Sequence, residues 1–136
     1  MIAPQSLRLV VLMLWLMSGV VACAPKAQGV VRAQRSYEEV FQASLAAIQE
    51  AEFIVTSQDS ATGTIMAVKR LPTAEEDTMR MTVRINRAPA GLTVIATVVH
   101  PFGTSATAER PCKCHVKRFV YALENRLPDV QVVSIH

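Results

Sequence analysis

Between Met79 and Asn86 the chain alternates without a break. Met79, Met81, Val83 and Ile85 are apolar, whereas Arg80, Thr82, Arg84 and Asn86 are polar. A period of two belongs to a strand, and one apolar face belongs to a sheet covered on one side only. The fold must therefore supply a layer for one face of a sheet and leave the other in water. Neighbouring segments fit that demand. Leu92 to Val99 alternates as well, with Leu92, Val94, Ala96 and Val98 the better core set. Phe53–Gln58 and Thr64–Lys69 flank the polar turn Asp59–Gly63 and read as a hairpin. Val130–Ile135 reads as a last strand at a sheet edge.

The covering layer is written at helical spacing. Ser36-Tyr-Glu-Glu39 is a capping box, followed by Tyr37, Val40, Phe41, Leu45 and Ile48, which predicts a helix over 36–51. A second stripe comprises Val116, Phe119, Val120, Leu123 and Leu127. Pro111 suits its first turn, Pro128 ends it, and the small polar residues 103–110 read as a loop. The expected fold class is α+β: two amphipathic helices packed on one face of a mainly antiparallel sheet of about five strands. The chain has 136 residues, which is one domain's worth.

The first residues follow other rules. Arg8 precedes the apolar run Leu9–Ala22, which is too short to span a bilayer as a permanent helix and has the layout of a secretory signal. Val20-Val21-Ala22-Cys23 resembles a bacterial lipobox. That resemblance implies cleavage before Cys23, a covalent lipid on its sulfur as the sole attached group, and a membrane anchor. Ala24 in place of Asp implies, on the same resemblance, the outer membrane, with the domain facing the periplasm. The expected organisation is a signal peptide at 1–22, a lipidated N-terminus and tether at 23–35, and a single α+β domain at 36–136. The tether reading rests on Pro25, Gly29 and the lack of a sustained period between them.

From Val40 to Val68 the order Phe41-x3-Leu45-x2-Ile48, Glu52-Phe-Ile-Val55, Asp59 and Gly63-Thr-Ile-Met-Ala67 forms a recognisable rhythm. It resembles small domains of bacterial outer-membrane lipoproteins, including those in the C component of the β-barrel assembly machine. The resemblance implies a helix-grip kind of fold and an accessory or scaffolding place in an envelope complex. It brings no catalytic residues.

Chemistry-bearing residues are sparse. With Cys23 lipidated, Cys112 and Cys114 remain, and Pro111-Cys-Lys-Cys-His115 could hold a soft metal or act as a thiol-redox module. Against this, zinc sites space their cysteines by two to four residues, and a helix through 112 sets Cys114 about 200° away. His100, His115 and His136 are scattered, Glu75, Glu76 and Asp77 form a short acidic run, and no glycine-rich phosphate cradle is present. The formal charge of +3 falls to about +2 without Arg8, too little to argue for nucleic acid. The expectation is a non-catalytic protein, not an enzyme, with a metal or thiol module at Cys112, Cys114 and His115 as the alternative. Its partners would be the membrane, through the anchor, and other envelope proteins. Arg80, Arg84, Ile95 and Val99 fall on the uncovered sheet face, which mixes cations with β-branched residues as an interface does. The edge strand Val130–Ile135 offers a second route of association.

Overall fold

A computed structural model describes residues 26–70, 78–100 and 105–136, with side chains from 112 onward in the last segment. The expected signal peptide at 1–22, Cys23 and the acidic run 75–77 lie outside the described residues. The elements in chain order are β1 (Lys26–Ala33), α1 (Tyr37–Glu50), β2 (Ile54–Asp59), β3 (Thr64–Arg70), β4 (Thr78–Ala88), β5 (Gly91–Val99), α2 (Ser105–Arg126) and β6 (Gln131–Ile135). They form an α+β unit with one six-stranded sheet, in the order β2-β3-β4-β5-β1-β6. Every neighbouring pair is antiparallel.

Two expectations are corrected. Residues 26–33, read as tether, form β1 and pair with β5 from Lys26↔Val99 to Ala33↔Leu92. The sheet thus has six strands where about five were expected, and no slack lies between residue 26 and the domain. The reason is physical: the inward positions Ala27, Gly29, Val31 and Ala33 are small, so the alternation lacked hydrophobic contrast. The second correction concerns α2, which begins at Ser105, six residues ahead of Pro111. Proline inside a helix removes one N–H bond to the preceding turn, and the rest of the ladder carries on around it.

The inner sheet face and the helices share one core. Ile65, Met79, Met81, Val83, Ile85, Val94 and Val98 pack with Val40, Ile48, Val116, Phe119 and Leu123, all nearly or fully buried. α2 approaches β1 closely at Gly29, where an added Cβ would stand 2.7 Å from Val116 Cγ1 and 3.2 Å from Val120 Cγ2. α1 starts as its sequence predicts. The Ser36 hydroxyl accepts the Glu39 N–H at 3.3 Å and lies 3.1 Å from Glu39 Oε1.

The hairpin turn is held by its own residues. Asp59 Oδ1 accepts the N–H of Ala61 at 3.0 Å, and Gly63 donates to the Asp59 carbonyl at 2.9 Å. Gly63 adopts φ +73°. From there its carbonyl receives the Ile85 N–H at 2.8 Å, tying the turn to β4. β6 lies at one sheet edge, as expected.

Candidate functional site

Antiparallel pairing sets cross-strand partners on the same face, so the register writes out the uncovered side of the sheet row by row. At one end of the strands lies the row Ile54, Val68, Arg80, Val99 and Lys26. Next come Ser57, Met66, Thr82, Thr97 and Gln28, and then Asp59, Thr64, Arg84, Ile95 and Val30. Asn86, Thr93 and Arg32 extend the face at the far end. The expected surface residues are therefore brought together: Arg80 pairs with Val99 and Arg84 with Ile95, in alternate rows.

Burial matches this layout. Arg80, Arg84, Lys26, Arg32 and Arg70 are exposed, while Ile95, Val99 and Val30 are half-buried between them. Ile54 and Met66 are exposed to 71% and 46%, unusual for large apolar side chains. None of these cations pairs with a carboxylate among the described residues. Asp59, the acidic residue of the third row, is occupied by the N–H groups of its own turn. By contrast, ion pairs form elsewhere on the domain. Arg35 forks onto Asp129 at 2.6 and 3.2 Å, and Arg126 pairs with Glu50 between the helices. The open face is thus cationic and part apolar, with its cations unpaired among the described residues.

Sequence reasoning missed Lys26, Val30 and Arg32, because it assigned β1 to the tether. Their signal was present in the alternation of Lys26, Gln28, Val30 and Arg32 against Ala27, Gly29, Val31 and Ala33.

Cys112, Cys114 and His115 do not converge. Cys112 is fully buried, Cys114 is exposed, and no disulfide joins them. Successive helical positions point about 100° apart, so residues two apart fall on opposite sides. Among the described residues no group of three metal-ligating side chains gathers. His115 is buried edge-on against the Phe53 ring, at 5.5 Å between centroids, and its Nδ1 has no hydrogen-bond partner. Burial pushes its imidazole down to about 4, Lys69 and Arg118 push the same way, and Glu52 opposes them.

That shift yields a pH dependence. The unfolded imidazole titrates near 6.5, so between about 6.5 and 4 the unfolded chain binds the extra proton. The contribution is complete above that window and is lost as pH falls through it. Between pH 7 and pH 5 it amounts to about 2 kcal/mol. Urea melts at the two pH values should show the loss, and His115→Leu should remove most of it. Unchanged pH dependence in that variant would exclude His115 as the cause.

Glu52 sits beside this histidine in a conformation that glutamate rarely adopts. Its φ is +67°, at the end of α1. The Phe53 N–H reaches the Ile48 carbonyl at 3.1 Å and the Glu52 N–H reaches Gln49 at 2.9 Å, the paired bonds of a Schellman stop. Glycine normally fills this place. Lys69, bonded at 3.2 Å, and Arg118 at 3.9 Å hold the Glu52 carboxyl below the usual carboxylate range. An exposed pair of this kind stabilises little, whereas left-handed backbone costs about 1–2 kcal/mol. Glu52→Gly is expected to raise stability by about 0.5 kcal/mol net of glycine's entropy, read as a shifted urea midpoint. A lowered midpoint would show that the ion pairs outweigh the strain.

The sequence matches no protein-family model and no curated protein. No helix among the described residues is long and apolar enough to cross a membrane.

Proposed function

We propose that this protein is a non-catalytic, membrane-anchored lipoprotein that serves as an accessory subunit of a cell-envelope complex. In this reading Cys23 carries the lipid, the outer membrane holds it, and the domain faces the periplasm, away from nucleic acid. The two helices and the sheet form a helix-grip arrangement whose outer sheet face associates with a protein partner. One observation carries the proposal: an uncovered face on which Arg84 and Ile95 pair across strands, amid cations that no carboxylate of the described residues neutralises. A surface built only for solvation has no need of Met66 and Ile95 among its arginines. An apolar centre within a polar surround suits association. The metal or thiol reading loses ground, since Cys112 and Cys114 lie on opposite sides of α2.

The test is co-purification from gently solubilised envelopes. Replacing Arg84 and Ile95 together by Asp should leave the thermal melt nearly unchanged and abolish recovery of the partner. Recovery that persists in this variant but fails when Lys113 and Lys117 are neutralised would move the interface to the exposed side of α2. Metal bound to the purified protein, and lost in Cys112→Ser/Cys114→Ser, would favour the alternative.

A further inference from the structure

The absence of a tether has a geometric result. β1 begins at Lys26, three residues after Cys23. Three fully extended residues span about 10 Å, so an anchor at Cys23 keeps Lys26 within that distance of the membrane surface. Lys26 does not stand alone at its end of the sheet. Its row continues through Val99, Arg80 and Val68 to Ile54, about 19 Å away across the strands, and Arg70 lies one pair further along β3. That row runs across the strands, so a domain standing with its strands upright sets the whole row near the headgroups.

We propose that the domain stands directly on the leaflet that holds its anchor, with this row at the surface. Lys26, Arg80 and Arg70 meet anionic headgroup phosphates, and Ile54 enters the interfacial layer. The inference rests on the anchor reading. The far rows, with Arg84 and Ile95, stay clear of lipid for the protein partner. Charge alone does not carry the docking, because the sequence between β3 and β4 includes Glu75, Glu76 and Asp77. Short reach carries it, together with a large apolar side chain exposed to 71% in the same row. A basic side chain near an anionic bilayer strengthens surface binding about five-fold.

The sole tryptophan, Trp15, lies in the signal segment, so a cleaved chain offers a clean optical background. Lipid-modified protein would be purified from membranes and reconstituted in vesicles containing anionic lipid with brominated acyl chains. Flotation comes first. If the protein does not float, or a Cys23→Ser form floats equally well, the anchor reading fails and the docking falls with it. With flotation secured, Ile54→Trp should be quenched by about half in brominated vesicles, as expected for interfacial insertion. Asn86→Trp, at the far end of the same face, should be unaffected. Exchanging Lys26 and Arg80 for Glu, or inserting a dozen Gly/Ser residues before Lys26, should reduce the Ile54→Trp quenching several-fold. Equal quenching at both positions, or none at either, would overturn the upright docking while leaving the anchor intact. So would a photoreactive residue at position 54 that crosslinks to protein instead of lipid in native membranes.

Discussion

Gly63→Ala is expected to destabilise the domain by about 3 kcal/mol, the largest effect foreseen for so small a change. Two independent costs add. A Cβ at residue 63 would lie 2.5 Å from the Ile85 carbonyl oxygen, and backbone at that distance cannot turn aside as a side chain can. The φ of +73° also places alanine in the left-handed region, at about 1 kcal/mol or more. Relief would require moving the Asp59–Gly63 turn away from β4, breaking the Ile85-to-Gly63 hydrogen bond. Tyr37 would feel the shift, since its hydroxyl donates to the Ser60 carbonyl at 2.5 Å from the first turn of α1. Urea denaturation should show the loss as a lower midpoint at unchanged slope. A cost below about 1 kcal/mol would mean that the turn can adjust without leaving β4.

Gly29→Val is expected to cost a comparable amount, about 3 kcal/mol, for a different reason. Gly29 lies in a regular strand, so its backbone suits any residue. The obstacle is α2 overhead, with Val116 Cγ1 at 2.7 Å and Val120 Cγ2 at 3.2 Å from the position of a Cβ. Both neighbours are β-branched and stiff, and both are fully buried, so neither can rotate away. Because these contacts are side chains, the damage should be reversible. Val116→Ala, destabilising alone, should recover about 1 kcal/mol or more in the Gly29→Val background, giving a favourable coupling in a double-mutant cycle. Strict additivity would show that the helix is not the obstacle. No equivalent rescue exists for Gly63, where the opposing atom belongs to the main chain.

These two glycines also show why some of the fold was legible in the sequence and some was not. The β2–β3 turn was plain, since Asp59 and Gly63 bracket it with turn chemistry between two runs of β-formers. β4 was plain because methionine, valine and isoleucine contrast with arginine and threonine along one strand. β1 has the same alternation, but glycine and alanine occupy three of its four buried positions, so that α2 can sit close. Small residues that permit close packing look, in a sequence, like residues chosen for flexibility. Helix spacing correctly set Cys112 and Cys114 on opposite sides of α2, whereas the start of that helix was hidden by Pro111.

The candidate site divides in the same way. Cross-strand pairing of Arg84 with Ile95 and Arg80 with Val99 follows from two alternating strands joined by a short turn. Lys26 and Arg32 could join that face only once β1 was known to lie beside β5, a contact between distant parts of the chain that no local pattern encodes. Glu52 was equally silent, for nothing in its neighbourhood says that a glutamate will occupy a glycine's conformation.

The place of β1 in the sheet also bears on when the fold can close. This strand sits between β5, which ends at Val99, and β6, which ends at Ile135, so both of its neighbours come from much later in the sequence. Closing so long a loop is slow, and among the described residues β6 pairs with β1 alone. A polypeptide made or threaded from its N-terminus can pair β2 to β5 locally while β1 still waits for its second neighbour. The sheet is complete only when β6 arrives beside β1.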